Sequence, residues 1–116
     1  MSSAFAATCA QPTHAWIVSP GGQVPSGATV SGSDQLTFAA VLSPGFGVIF
    51  QYYTTSNAFI YNNFEGYAGS NCVLNQRSHQ ASFIPYVGTM RVYAYYHAWE
   101  TDSDVFTFLG FLTKTS

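Results

Sequence analysis

Charge is what this 116-residue chain has least of. Asp, Glu, Lys and Arg make up 7% of it, against about 25% in an average globular domain. Arg77, Arg91 and Lys114 are the only fixed cations. Nucleic-acid binders neutralise phosphates with clustered Lys and Arg, and three scattered cations cannot do that. An anionic membrane surface is disfavoured for the same reason. No run of 18 apolar residues occurs, so no helix here would cross a bilayer. The start of the chain has no basic segment and only a short apolar run, Ala4 to Ala7, so it does not read as a secretion signal. No N-x-[ST] sequon occurs either.

Cysteine is almost as scarce. Cys9 and Cys72 are the only two, and their separation is no zinc motif. With no leader to support an oxidising route, the expectation is two buried free thiols acting as small hydrophobes. The alternative is a Cys9–Cys72 disulfide, closing a loop of about 60 residues worth roughly 4 kcal/mol.

The usual catalytic sets are also missing. His14, His79 and His97 can be combined with some Ser and with Asp102 or Asp104 on paper, but no G-x-S-x-G elbow supports a triad. Pro44-Gly45-Phe46-Gly47 lacks the third glycine and the helix of a dinucleotide site. Gly66 to Asn71 has no Lys and is no P-loop. No cofactor is expected, and the chain reads as a non-enzyme. Glu100, Asp102 and Asp104 form the one acidic cluster, where calcium is conceivable; a solvated turn is the simpler account.

What is present is apolar and aromatic. Hydrophobic residues reach 47% and aromatics 17%, with ten Phe and eight Tyr. That suffices for a core in one domain of this length. Turn residues recur at short intervals, as in Pro20-Gly21-Gly22, Pro25-Ser26-Gly27, Asn62-Asn63 and Gly66 to Asn71. Between them lie runs rich in Val, Ile, Phe, Tyr and Thr, which favour strands. The expected strands are His14–Val18, Thr29–Ser31, Gln35–Leu42, Phe46–Tyr53, Ala58–Asn62, Cys72–Asn75, Gln80–Ile84, Thr89–Trp99 and Val105–Leu112. No helical spacing competes, and helix formers are scarce. The class is all-β: a single-domain, two-sheet antiparallel β-sandwich of jelly-roll or immunoglobulin-like connectivity, with a small barrel as the alternative. Residues 1–12 form an N-terminal arm and 13–116 the sandwich.

The most informative stretch is 89–99. Alternate side chains of a strand point to opposite faces. Met90, Val92, Ala94, Tyr96 and Ala98 share one face, suited to an interior. Arg91, Tyr93, Tyr95, His97 and Trp99 share the other, an aromatic ladder with two nitrogenous groups. In the last strand Phe106, Phe108 and Leu112 are expected on one side, with Val105, Thr107, Leu109 and Phe111 opposite. An outer ladder of this size reaches the patch limit of a free monomer, about 300–600 Å². It therefore needs a cover.

Three covers compete. The ladder could lie under the chain's own arm or a loop. It could meet another copy, since interfaces favour Tyr, Trp, Phe and Arg and avoid Lys and Glu. It could stack on sugar rings. The leading expectation is a self-associating structural subunit, a homo-oligomer in a virion or other extracellular assembly, with Arg91, Tyr93, Tyr95, His97, Trp99 and Phe111 at the contact. A surface this poor in charge would be poorly soluble as a free cytosolic monomer. The alternative is a carbohydrate-binding module or lectin, with Trp16, Tyr93, Tyr95 and Trp99 for stacking and Asn62, Asn63, Asn71 and Asn75 for hydroxyls.

Overall fold

The computed structural model describes residues 13–20, 22–24, 26–98 and 103–116. Among the described residues nine strands follow in order: β1 His14–Ser19, β2 Gly22–Val24, β3 Ser26–Val30, β4 Gln35–Leu42, β5 Phe46–Thr54, β6 Phe59–Tyr67, β7 Val73–Gln80, β8 Gly88–Ala98 and β9 Ser103–Lys114. They form a four-stranded sheet ordered β2-β1-β4-β7 and a five-stranded sheet ordered β3-β9-β8-β5-β6. Neighbouring strands run antiparallel, except that β3 lies parallel to β9. Neither sheet closes on itself, so this is a two-layer sandwich and not a barrel. The order β9-β8-β5-β6 facing β1-β4-β7 is the immunoglobulin-type arrangement rather than a jelly roll.

Period-two alternation builds the interior. Leu36, Phe38, Ala40 and Leu42 of β4 meet Val48, Phe50 and Tyr52 of β5 and Met90, Val92, Ala94 and Tyr96 of β8, all buried. The Phe38 and Phe50 rings touch edge to face across the two layers, with centroids 5.0 Å apart, a favoured aromatic geometry. Burial raises the phenol pKa of Tyr96, and the Ala15 backbone partly offsets that.

Several expected elements are corrected. Gln80–Ile84 is not a strand: Ala81–Phe83 is a 3₁₀ turn. Its backbone bonds go to the β3–β4 turn, from Ala81 N–H to Asp34 and from Ser82 N–H to Gly32. That lifts the chain off the sheet and drops the Phe83 ring against Phe38 and His79. Asn62-Asn63 is not a turn. Both residues lie inside β6, opposite Gln51 and Phe50. The third strand starts earlier, at Ser26, and β2 was not foreseen. Cys72 is disulfide-bonded rather than a free thiol. Cys9, the one other cysteine, lies outside the described residues, as does the expected 1–12 arm.

The flank of the sandwich where β6 and β7 lie side by side is polar. Glu65 is almost fully buried there. It accepts from Asn63 Nδ2 at 2.5 Å and pairs with His79 Nε2 at 3.0 Å, while its carbonyl accepts from Asn75. Gly66 makes room for that amide, since a Cβ there would fall 2.6 Å from Asn75. Inward-pointing polar groups on two edge strands oppose pairing with another chain. Burial, and secondarily the Glu65 carboxylate, push the Tyr52 phenol well above its ordinary value.

The last correction decides the surface. In β9 the register against β8 shifts by one residue: Tyr93 faces Phe108, yet Val92 faces Gly110. Leu109 is the extra residue of a bulge, and Gly110 takes a φ of 136°, a conformation that side chains other than glycine rarely adopt. Leu109 and Leu112 therefore both point inward, while Phe106, Phe108 and Phe111 all point outward. The expected division of Phe106 and Phe108 from Phe111 is wrong because a strict alternation was carried through the bulge. Replacing Gly110 by Ala should cost about 1–3 kcal/mol, read as a lowered urea midpoint at unchanged slope.

Candidate functional site: the outer face of the five-stranded sheet

Rings from four strands converge on this face. On β8 the outward residues are Arg91, Tyr93, Tyr95 and His97, each half-buried. Opposite them on β9 stand Phe111, Phe108, Phe106 and Asp104 in the same order. On the other side β5 presents Ile49, Gln51 and Tyr53, and β6 presents Phe64, Asn62 and Phe59 against them, with Tyr67 across from Gly47. Phe59, Phe64, Tyr67, Phe106, Phe108 and Phe111 are each 39–55% exposed. Six rings at half exposure present about 450–750 Å², at or above the largest patch typical of a free monomer, about 300–600 Å².

The rings brace one another. Tyr93 stacks on Phe106 with centroids 4.6 Å apart and planes at 16°. Tyr53 stands at 89° to Tyr93 and at 73° to Phe59. Between Tyr53, Tyr93, Phe106 and Asn57 lies a shallow cavity of about 240 Å³. Asn57 caps the β5–β6 hairpin with a φ of 72°, a conformation Asn tolerates better than most residues. Its N–H donates to the Thr54 carbonyl at 2.9 Å, and Thr54 Oγ1 accepts from Ala58 N–H at 3.0 Å. The hairpin tip thus holds one amide side chain at the mouth of an aromatic hollow. A second cavity of about 370 Å³, lined by Ser31, Gly32, Ser33, Gln80, Ser82 and Ser116, has no aromatic or basic side chain.

Two polar groups mark the ends of the face. Arg91 lies over Phe111 and Phe108, its guanidinium carbon 5.4 and 6.0 Å from their ring centroids, within reach of cation–π attraction. At the far end Asp104 Oδ1 accepts from Tyr95 Oη at 2.9 Å and from His97 Nδ1. The His97 hydrogen bond, and then that of Tyr95, hold the Asp104 carboxyl below its ordinary value.

The expected ladder residues Arg91, Tyr93, Tyr95, His97 and Phe111 thus lie on one surface. Trp99 lies outside the described residues, as do Glu100 and Asp102. Asp104, the described member of the suggested calcium cluster, is engaged by His97 and Tyr95. Among the described residues no three His, Cys, Asp or Glu come together as a metal site. Trp16 stands apart from the ladder. It sits on β1 in the other sheet, stacked on His14 at 5.1 Å. The asparagines divide as well: Asn62 pairs with Gln51 on the aromatic face, whereas Asn63 and Asn75 engage Glu65. Phe64 and Tyr67 were missed because the strand expected at Ala58–Asn62 stopped short of them, and Phe59, inside it, was given no face. The alternation Phe59, Asn62, Phe64, Tyr67, with its two bulges, hid the signal.

No protein-family model and no curated protein matches this chain. Its fold is similar to that of a solved structure described as the C-terminal domain of wzt, with a TM-score of 0.52 at 13% identity. The likeness covers 96% of this chain and 81% of that one, and it speaks to the sandwich fold alone.

The Asp104 contact should titrate. A carboxyl whose folded pKa is lowered adds stability above its unfolded value, about 3.9, and that contribution is lost as pH falls through the folded value. Wild type should exceed Asp104→Asn in denaturation midpoint at pH 6, with the gap closing as pH falls below about 4.

Proposed function

We propose that this chain is a carbohydrate-binding β-sandwich module, acting without chemistry of its own through the aromatic face of its five-stranded sheet. The cavity between Tyr53, Tyr93, Phe106 and Asn57 carries the reading. At about 240 Å³ it falls below the pockets of drug-sized ligands, about 300–1,000 Å³, and suits one sugar ring. The C–H-rich face of a pyranose carries partial positive charge and packs on the negative face of an aromatic ring. The Asn57 amide offers both a donor and acceptors for hydroxyls. Around the cavity Gln51 and Asn62 alternate with rings along the face, as a chain of sugars alternates hydroxyls with C–H surface. The disulfide state of Cys72 favours an extracellular setting, because cytosolic thiols are kept reduced.

A glycan array probed with the full chain tests this. Wild type should bind at least one class of glycan, and Tyr93→Ala should lose about tenfold or more while its circular dichroism still shows the folded chain. An array with no binding at all removes the reading.

A second reading, self-association as a subunit of a virion or other extracellular assembly, is favoured by the exposed area. The 450–750 Å² of ring surface approaches the roughly 800 Å² that each partner contributes to a standard interface. Sedimentation at micromolar concentration should then show a dimer or larger, and Phe108→Ser with Phe111→Ser should return it to monomer. A wild-type monomer at every concentration rejects it.

A further inference from the structure

The cavity has one cation beside it. Arg91 faces Tyr53 across β8 and β5 and lies two positions before Tyr93, so it shares the surface with two of the cavity's rings. Its Nε reaches the Thr55 carbonyl at 3.5 Å, two residues from Asn57. Its guanidinium rests on Phe111 and Phe108. Among the described residues the ion pairs are His79 with Glu65 and His97 with Asp104, and neither involves Arg91. No hydrogen bond among the described residues engages its terminal amino groups. The other fixed cations are elsewhere: Arg77 belongs to β7 in the opposite sheet, and Lys114 Nζ is buried on the Ile84 carbonyl at 3.0 Å. Arg91 is therefore a cation steadied by rings and one weak bond, with its outer fork uncommitted. Two parallel N–H donors of a guanidinium match the two oxygens of a carboxylate.

We infer that the site selects a carboxylated sugar, a hexuronic acid residue with its ring in the Tyr53–Tyr93–Phe106 cavity and its carboxylate on Arg91. The inference rests on the carbohydrate reading above and adds which sugars are preferred. The chain's net charge of −2 gives no long-range attraction for anions, so any such preference has to arise locally at this cation.

The test compares glucuronic acid-containing oligosaccharides with their glucose counterparts, by calorimetry on the full chain and on Arg91→Gln and Tyr93→Ala. A charge-assisted bidentate contact predicts that wild type prefers the acidic member by about tenfold or more. Arg91→Gln should bring the two to parity, and Tyr93→Ala should weaken both. If wild type binds neutral members but gains nothing from the carboxylate, or if Arg91→Gln keeps the preference, the inference is overturned and the carbohydrate reading stands. Absence of binding to both members and to every glycan of the array removes the two together.

Discussion

Contact between the layers, centred on Phe38 of one sheet and Phe50 of the other, sets which way every other side chain points. Once alternate residues of β4, β5 and β8 are committed to that interior, their neighbours have only the outside left. A strand has two faces and no third place to put a ring. Arg91, Tyr93, Tyr95 and His97 are outward because Met90, Val92, Ala94 and Tyr96 are needed inside. The aromatic surface is thus a consequence of the core.

That surface is unusual in what it leaves in water. Most domains disperse exposed rings or surround them with lysine and glutamate. Here, among the described residues, a single Arg and a single Asp mark the ends of a face made mostly of Phe, Tyr and amides, with Ile49 and His97. The rings partly shield one another by stacking, Tyr93 on Phe106 and Phe108 against Phe111, which lowers the cost of exposure and holds the side chains in place. Preordered rings lose little conformational freedom on binding. The opposite arrangement governs the β6–β7 flank, where Glu65 draws Asn63, Asn75 and His79 to itself and the interior closes with hydrogen bonds instead of apolar contact. One side of the molecule presents rings to solvent, the other closes with hydrogen bonds.

How much of this was legible can be judged from particular residues. The alternation of 89–99 was clear because both its sets are consistent over five positions, and the faces assigned to Met90 through His97 agree with the burial observed. Strand Gln35–Leu42 was plain for the same reason. The region 58–67 was not, because Asn62-Asn63 is a turn signal by local preference and only pairing with Gln51 and Phe50 turns it into strand. The segment 80–84 is β-rich in composition. It leaves the sheet because its N–H groups find Asp34 and Gly32, residues nearly fifty positions away in sequence. The hollow beside Tyr93 could not be foreseen at all, since it needs the hairpin tip at Asn57 and the ring of Phe106 to arrive from two other strands.

By itself the amino-acid order determined class and pattern: an all-β chain, poor in charge, with an aromatic stripe on one face of a long strand. These are properties of composition and of period two, which act locally. Tertiary structure decided the immunoglobulin-type strand order, the parallel seat of β3 beside β9, and the bulge that brings Phe106, Phe108 and Phe111 to one surface. A one-residue insertion in a strand changes nothing in local propensity, yet it reverses every side chain beyond it. Only the pairing partner, β8, reveals where that reversal falls.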